Sequence, residues 1–165
     1  MMPLLDWTDL APLLMFSPLL IAIAWSDLTR MIIPNRLALL GLLLFACSLP
    51  FLDVHETSAR LAMGVGCFAI CLVLFAFRIM GGGDTKILPV VLLFVPSAAL
   101  PVYLLSLGAS MALGLGSVLL IRRVFVRGTP TWVGLTRGED FPMGVSFGLS
   151  GLILISVWFL GILAA

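Results

Sequence analysis

Charge is what this sequence has least of. Only 10% of its 165 residues are charged and 62% are hydrophobic, for a mean hydropathy of +1.25. A soluble domain carries about 25% charged residues, so this chain lacks the polar surface needed to face water all round. Lipid is its solvent. The net charge of +1 and the absence of any basic run exclude an electrostatic nucleic-acid surface. Paired CxxC elements are missing as well, which excludes a cysteine zinc site. Cys47, Cys67 and Cys71 all lie in apolar runs and read as small packing residues. Nothing calls for a metal or another cofactor. A basic n-region is also lacking, since Asp6 and Asp9 stand where one belongs, so the first apolar stretch is expected to stay as a span.

What is there is a series of apolar runs, at 10–26, 37–52, 61–79, 87–95, 98–121 and 143–163. A span needs roughly 20 apolar residues, so these runs use up the chain and leave residues 1–165 as one membrane-embedded domain. The stretch 87–121 reads as one helix or as two. As a single helix its length would be about 52 Å, far beyond the hydrocarbon core, and Pro96 and Pro101 near its middle suit a tight reversal. Charge points the same way. With two helices, Arg30, Arg36, Arg78, Lys86, Arg122, Arg123, Arg127 and Arg137 fall on one side and only Arg60 on the other. Basic loops stay cytoplasmic. The expectation is an all-α polytopic protein of six transmembrane helices with both termini on the non-cytoplasmic side.

The polar segment 124–142 then faces the cytoplasm, as a plain loop or as a lid, with Trp132 as an interfacial anchor. His55, beside Asp53 and Glu56, falls in an outer loop as a solvated residue.

Two acids remain to be explained. Asp27 closes the first run and Asp84 precedes the fourth, which puts both at the cytoplasmic face. An ionisable residue so near hydrocarbon is expensive unless paired, and is a functional candidate by default. Asp84 follows Gly81, Gly82 and Gly83. Glycines permit unusual backbone angles and close approach, so this motif is expected to break the helix and admit an extended substrate strand. Asp84 would lie in the first turn of the next helix, where the dipole favours its anion. Two carboxylates at hydrogen-bonding distance share one proton. The ionised member takes a proton from water while the protonated one polarises a carbonyl, which is peptide hydrolysis with no metal and no covalent intermediate. The plainer alternative makes each acid a helix cap or a boundary charge paired with Arg30 or Lys86.

Asp27 leading into Ile33-Pro34-Asn35, with Gly81-Gly82-Gly83-Asp84-Thr85-Lys86 later, resembles the type IV prepilin peptidases, which are aspartic proteases of the GxGD type. Pro142-Met143-Gly144 is similar to the proline-x-glycine that opens the last helix of that family. The resemblance implies that Asp27 and Asp84 are catalytic. It implies supporting roles in backbone or substrate contact for Gly81, Gly83, Lys86, Pro34 and Asn35. Lys86 would tune Asp84, bind an acidic residue of the substrate, or simply follow the positive-inside rule. The implied partner is a prepilin with a hydrophobic N-terminal helix, cut after its basic leader at the cytoplasmic face of the inner membrane. The junction would carry a glycine before the cut and a glutamate a few residues beyond it.

Larger family members carry a cysteine-bearing cytoplasmic region that goes with N-methylation. It is missing here, so methyltransferase activity is not expected, and the chain looks most like the compact peptidases of tight-adherence (Flp) pili or preflagellins. Two other readings use the same acids. One is an intramembrane GxGD protease of the signal-peptide-peptidase type, whose members are longer and set the first aspartate differently. The other is a small proton or cation transporter, although two acids make a poor cage for calcium, which takes about 6–8 oxygens. The sequence leaves the oligomeric state and the particular pilin open.

Overall fold

The computed structural model describes residues 7–124 and 143–163, and every regular element among them is helical. The elements are α1 (Trp7–Arg30), α2 (Asn35–Ser48) with a 3-10 turn (Leu49–Phe51), α3 (Val54–Ala76), α4 (Gly82–Phe94), a second 3-10 turn (Ser97–Ala99), α5 (Leu100–Val124) and α6 (Met143–Leu163). The polar segment with Trp132, and Pro142 after it, lie outside the described residues.

Four helical stretches are long and apolar enough to cross a membrane: Thr8–Arg30, Val54–Ala76, Ser97–Ser117 and Met143–Leu160. The other two helices are shorter. Asn35–Phe51 falls below a full span, and the 13 residues of α4 rise only about 20 Å. The run 87–121 does divide. Val95 is extended, the Val95 N–H returns to the Leu92 carbonyl at 3.2 Å, and the 3-10 turn follows directly on Pro96.

Short as it is, α4 is the core. Thr85, Ile87 and every residue from Pro89 to Phe94 are buried, as expected of a helix apolar on all sides. It is packed by α1, α2, α3 and α6, while α6 also packs along α1 and α5. Phe94 stacks on Phe16 of α1 with ring centroids 4.0 Å apart, and meets Phe45 of α2 edge-on at 5.7 Å. Leu40, Leu43, Val65 and Leu105 are exposed, an apolar outer surface suited to lipid.

Helix α3 starts earlier than the hydropathy run suggested. Asp53 caps it, accepting from the His55 N–H at 3.0 Å, so His55 and Glu56 belong to its first turn rather than to a loop. His55 is exposed, as expected of a solvated residue. Arg60 is a different matter. Placed by charge counting as a lone outer cation, it is fully buried.

Candidate active site

The site is assembled where α1 ends and where α4 and α6 begin. Helix α1 runs three residues beyond Asp27 and stops at Met31, whose φ of 54° is left-handed. The chain then turns back, held by the Ser26 hydroxyl donating to the Ile32 carbonyl at 2.8 Å. Pro34, extended at φ −62° and ψ 140°, caps the start of α2; its ring restricts Ile33 before it as well.

Helix α3 ends in a Schellman motif. The Arg78 N–H bonds to the Phe75 carbonyl and the Ile79 N–H to the Leu74 carbonyl, both at 2.9 Å. Its left-handed residue is Arg78, at φ 58°. The glycines after it were expected to supply unusual backbone angles, and they do not, since no described glycine has positive φ. Gly81 is the extended N-cap of α4, while Gly82 and Gly83 are already helical.

What these glycines supply is room. A Cβ on Gly81 would stand 2.9 Å from Asp84 Oδ2, and one on Gly83 would press on Ile33 at 3.4 Å. The helix break therefore lies between Ala76 and Gly82, not across all three glycines.

Asp27 is 6% exposed. Its Oδ2 accepts a hydrogen bond of 2.6 Å from the Gly144 N–H, one of the amides left without an intrahelical acceptor at the start of α6. A carboxylate from one helix thus caps another, where the dipole of α6 favours negative charge. The approach requires glycine, because a Cβ at residue 144 would come within 2.8 Å of the Asp27 Cβ. Gly148 and Gly151 extend the close seam, with their added Cβ atoms 3.2 Å from the Leu20 carbonyl oxygen and 2.6 Å from Leu20 Cδ1. Small residues at such spacing are how membrane helices approach closely.

Asp84 is the third residue of α4 and is half-buried. It stands ahead of the apolar run, and its carboxyl is pushed up to about 6, first by burial and then by the charge of Asp27. The helix dipole was expected to favour the anion; burial and a neighbouring like charge outweigh it. The two acids are thus in electrostatic reach of one another, each against a helix N-terminus. Exchange of protons with water and a carbonyl is the chemistry that two acids so placed are suited to.

The other predicted residues divide. Lys86 Nζ donates to Asn35 Oδ1 at 3.0 Å, joining the two motifs, but Lys86 is not among the groups that act on Asp84. Pro34 shapes the turn and Gly83 packs beneath it. Gly144 is the residue whose contact with Asp27 was not anticipated. The Pro142-Met143-Gly144 motif marked its place, but only packing reveals what it touches. Among the described residues no three His, Cys, Asp or Glu side chains gather as metal ligands would.

A family model described as the type IV leader peptidase family matches residues 14–121, from within α1 to near the end of α5. No curated protein and no solved structure matches the chain. The family match covers both aspartates and most of the helices that hold them, and by it this chain belongs to the type IV leader peptidase family.

Proposed function

We propose that the chain is a membrane aspartic endopeptidase that removes the leader of Flp-like type IV prepilins, with Asp27 and Asp84 activating water. The observation that supports this reading is that two acids remote in sequence each stand at a helix N-terminus, Asp27 accepting from the Gly144 N–H of α6 and Asp84 in the first turn of α4, where it feels the charge of Asp27. The ionised carboxylate takes a proton from water as the oxygen attacks the scissile carbonyl, and the protonated partner donates to the carbonyl oxygen. Collapse of the tetrahedral intermediate returns a proton to the leaving nitrogen, and the dyad is left with one proton as before.

The topology that goes with this reading has six crossings of the inner membrane, both termini outside and the dyad at the cytoplasmic face. The clustering of eight basic residues on that side supports it. The short α2 and α4 are accommodated by tilt or by local thinning of the bilayer. In this reading an extended strand passes the exposed Gly81 beside Asp84, while Gly83 packs on Ile33 and Pro34, Asn35 and Lys86 frame the approach.

The test is leader cleavage by purified protein in detergent, offered a precursor with a basic leader and an apolar helix. Asp27→Asn and Asp84→Asn should each insert normally and lose at least about 100-fold in cleavage, the scale of general acid–base catalysis. Normal processing by either variant overturns the mechanism.

A further inference from the structure

Helices α2 and α3 both pack on α4 but make at most marginal contact with each other. The packing is tight at two glycines, where added Cβ atoms would come within 2.6 Å of Val90 Cγ1 (from Gly41) and of Leu93 Cδ2 (from Gly64). Above that floor the two helices splay and leave a trough of about 520 Å³. Each helix gives it one stripe at i, i+3, i+4 and i+7. On α4 the stripe is Lys86, Pro89, Val90 and Leu93, and stripes of the same spacing run from Asn35 to Leu42 and from Leu61 to Phe68. Beyond Lys86 the floor (Pro89, Val90 and Leu93) is buried, while wall residues such as Leu39 and Val65 are 60% and 68% exposed.

Three parallel stripes around an empty axis match the way an apolar helix is received in a groove, anchored at that same spacing. From Lys86 to Leu93 the floor rises about 10 Å, two turns of a docked helix.

The trough is polar at one end only. Asn35 opens α2, Lys86 stands in the second turn of α4, and the two are hydrogen-bonded there. Lys86 is the one lysine of the chain. It is exposed, and among the described residues it touches no carboxylate. Residues 84 and 86 point about 200° apart around a helix, so Lys86 serves the trough while Asp84 serves the dyad. The positive-inside rule accounts for a cation at this depth, but not for its place at the mouth of a helix-sized trough.

We infer that the trough receives the apolar helix of the substrate and that Lys86 pairs there with a carboxylate near that helix's cytoplasmic end. This rests on the peptidase reading above. Charge complementarity selects the occupant. A carboxylate on an apolar helix is costly in lipid unless a cation meets it, and a trough with a single ammonium at its mouth rewards a helix that brings one acid to that level. The chain upstream of the docked helix then leaves the trough past the exposed Gly81 at the start of α4 and reaches Asp84 on the other face. Lys86 is thus a substrate-binding residue that sets specificity and register.

The probe is a single-span test precursor, a basic leader followed by about 20 apolar residues, with one glutamate, glutamine or lysine scanned through the first two turns of the helix. Cleavage by the wild type should favour glutamate at one position. Lys86→Glu should lose at least about 10-fold on that precursor through KM, with kcat kept, and should regain it on the precursor carrying lysine there. Binding is read separately, by a photocrosslinker on Val65→Cys in the Asp27→Asn background, which should trap the precursor. Crosslinking to lipid alone, or to a second copy of the chain, overturns the inference, as does a Lys86→Glu variant that treats glutamate and glutamine precursors as the wild type does. The two readings fail separately. Aspartate-dependent cleavage with lipid-only crosslinks defeats the trough and leaves the peptidase standing, whereas a trapped precursor that wild type never cuts supports the trough and defeats the peptidase.

Discussion

The two ends of α4 are held in opposite ways. At the C-terminal end the fully buried Arg60 of α3 donates to the Phe94 carbonyl at 3.3 Å, to the Asp9 carbonyl at 2.7 Å and to Glu56 Oε1 at 2.8 Å. Glu56 in turn accepts from the Ser97 N–H at 2.8 Å and from the Ser97 hydroxyl at 2.5 Å. Four segments are tied by Arg60 and Glu56 together, with three guanidinium nitrogens each donating to a different partner. At the N-terminal end the half-buried Asp84 sits well above its ordinary range, raised first by burial and then by the charge of Asp27. A saturated polar cluster secures a fold. A raised acid at the opposite end of the same helix is the feature that the proposed chemistry uses.

Three experiments bear on that contrast. The largest effect is expected from Arg60→Ala, which leaves the Asp9 and Phe94 carbonyls without this donor and Glu56 without its cation; losing one partner of a buried pair costs about 3–5 kcal/mol. A thermal unfolding scan in detergent should show a large fall in midpoint, and an unchanged midpoint would break the comparison. Next is Gly144→Ala. Its Cβ collides with Asp27, so α6 must shift at a cost of about 1–3 kcal/mol. Cleavage should fall more steeply than stability does, because the shift moves the donor that orients Asp27; equal losses would make Gly144 a packing residue only.

The smallest effect is in pH dependence. Asp84 is raised from its ordinary 3.8 to about 6, so between those values the folded state binds more protons than the unfolded state. Stability then falls as pH rises through that window. Asp84→Asn should flatten the slope of thermal midpoint against pH from about 4 to 6, and an unaltered slope would place the titration elsewhere.

Much of this was legible in the sequence because it is local. Two acids in an oily chain, a Pro-Asn turn after one and glycines before the other, identify the site without reference to packing. Pro96 marked the break between α4 and α5 for the same reason, since proline acts on its own neighbours. What the sequence hid is long-range. Arg60 looks like an outer cation until two carbonyl partners from distant segments, Asp9 and Phe94, are found around it. Met31 and Arg78 take left-handed angles that glycine would be expected to hold, because the surrounding turns determine the backbone more firmly than residue preference does. The contact between Gly144 and Asp27 spans 117 residues, and no spacing rule reaches that far.

That last contact has a consequence for how the protein is made. Helix α1 leaves the ribosome first and α6 last among the helices described. At about 5–20 residues per second, the 117 residues from Asp27 to Gly144 take roughly 6–23 s to make. Until then a nascent chain carries both acids but lacks the donor that fixes one of them. The bond from Gly144 is thus among the last contacts to form, because α6 is the last of the described helices to be made.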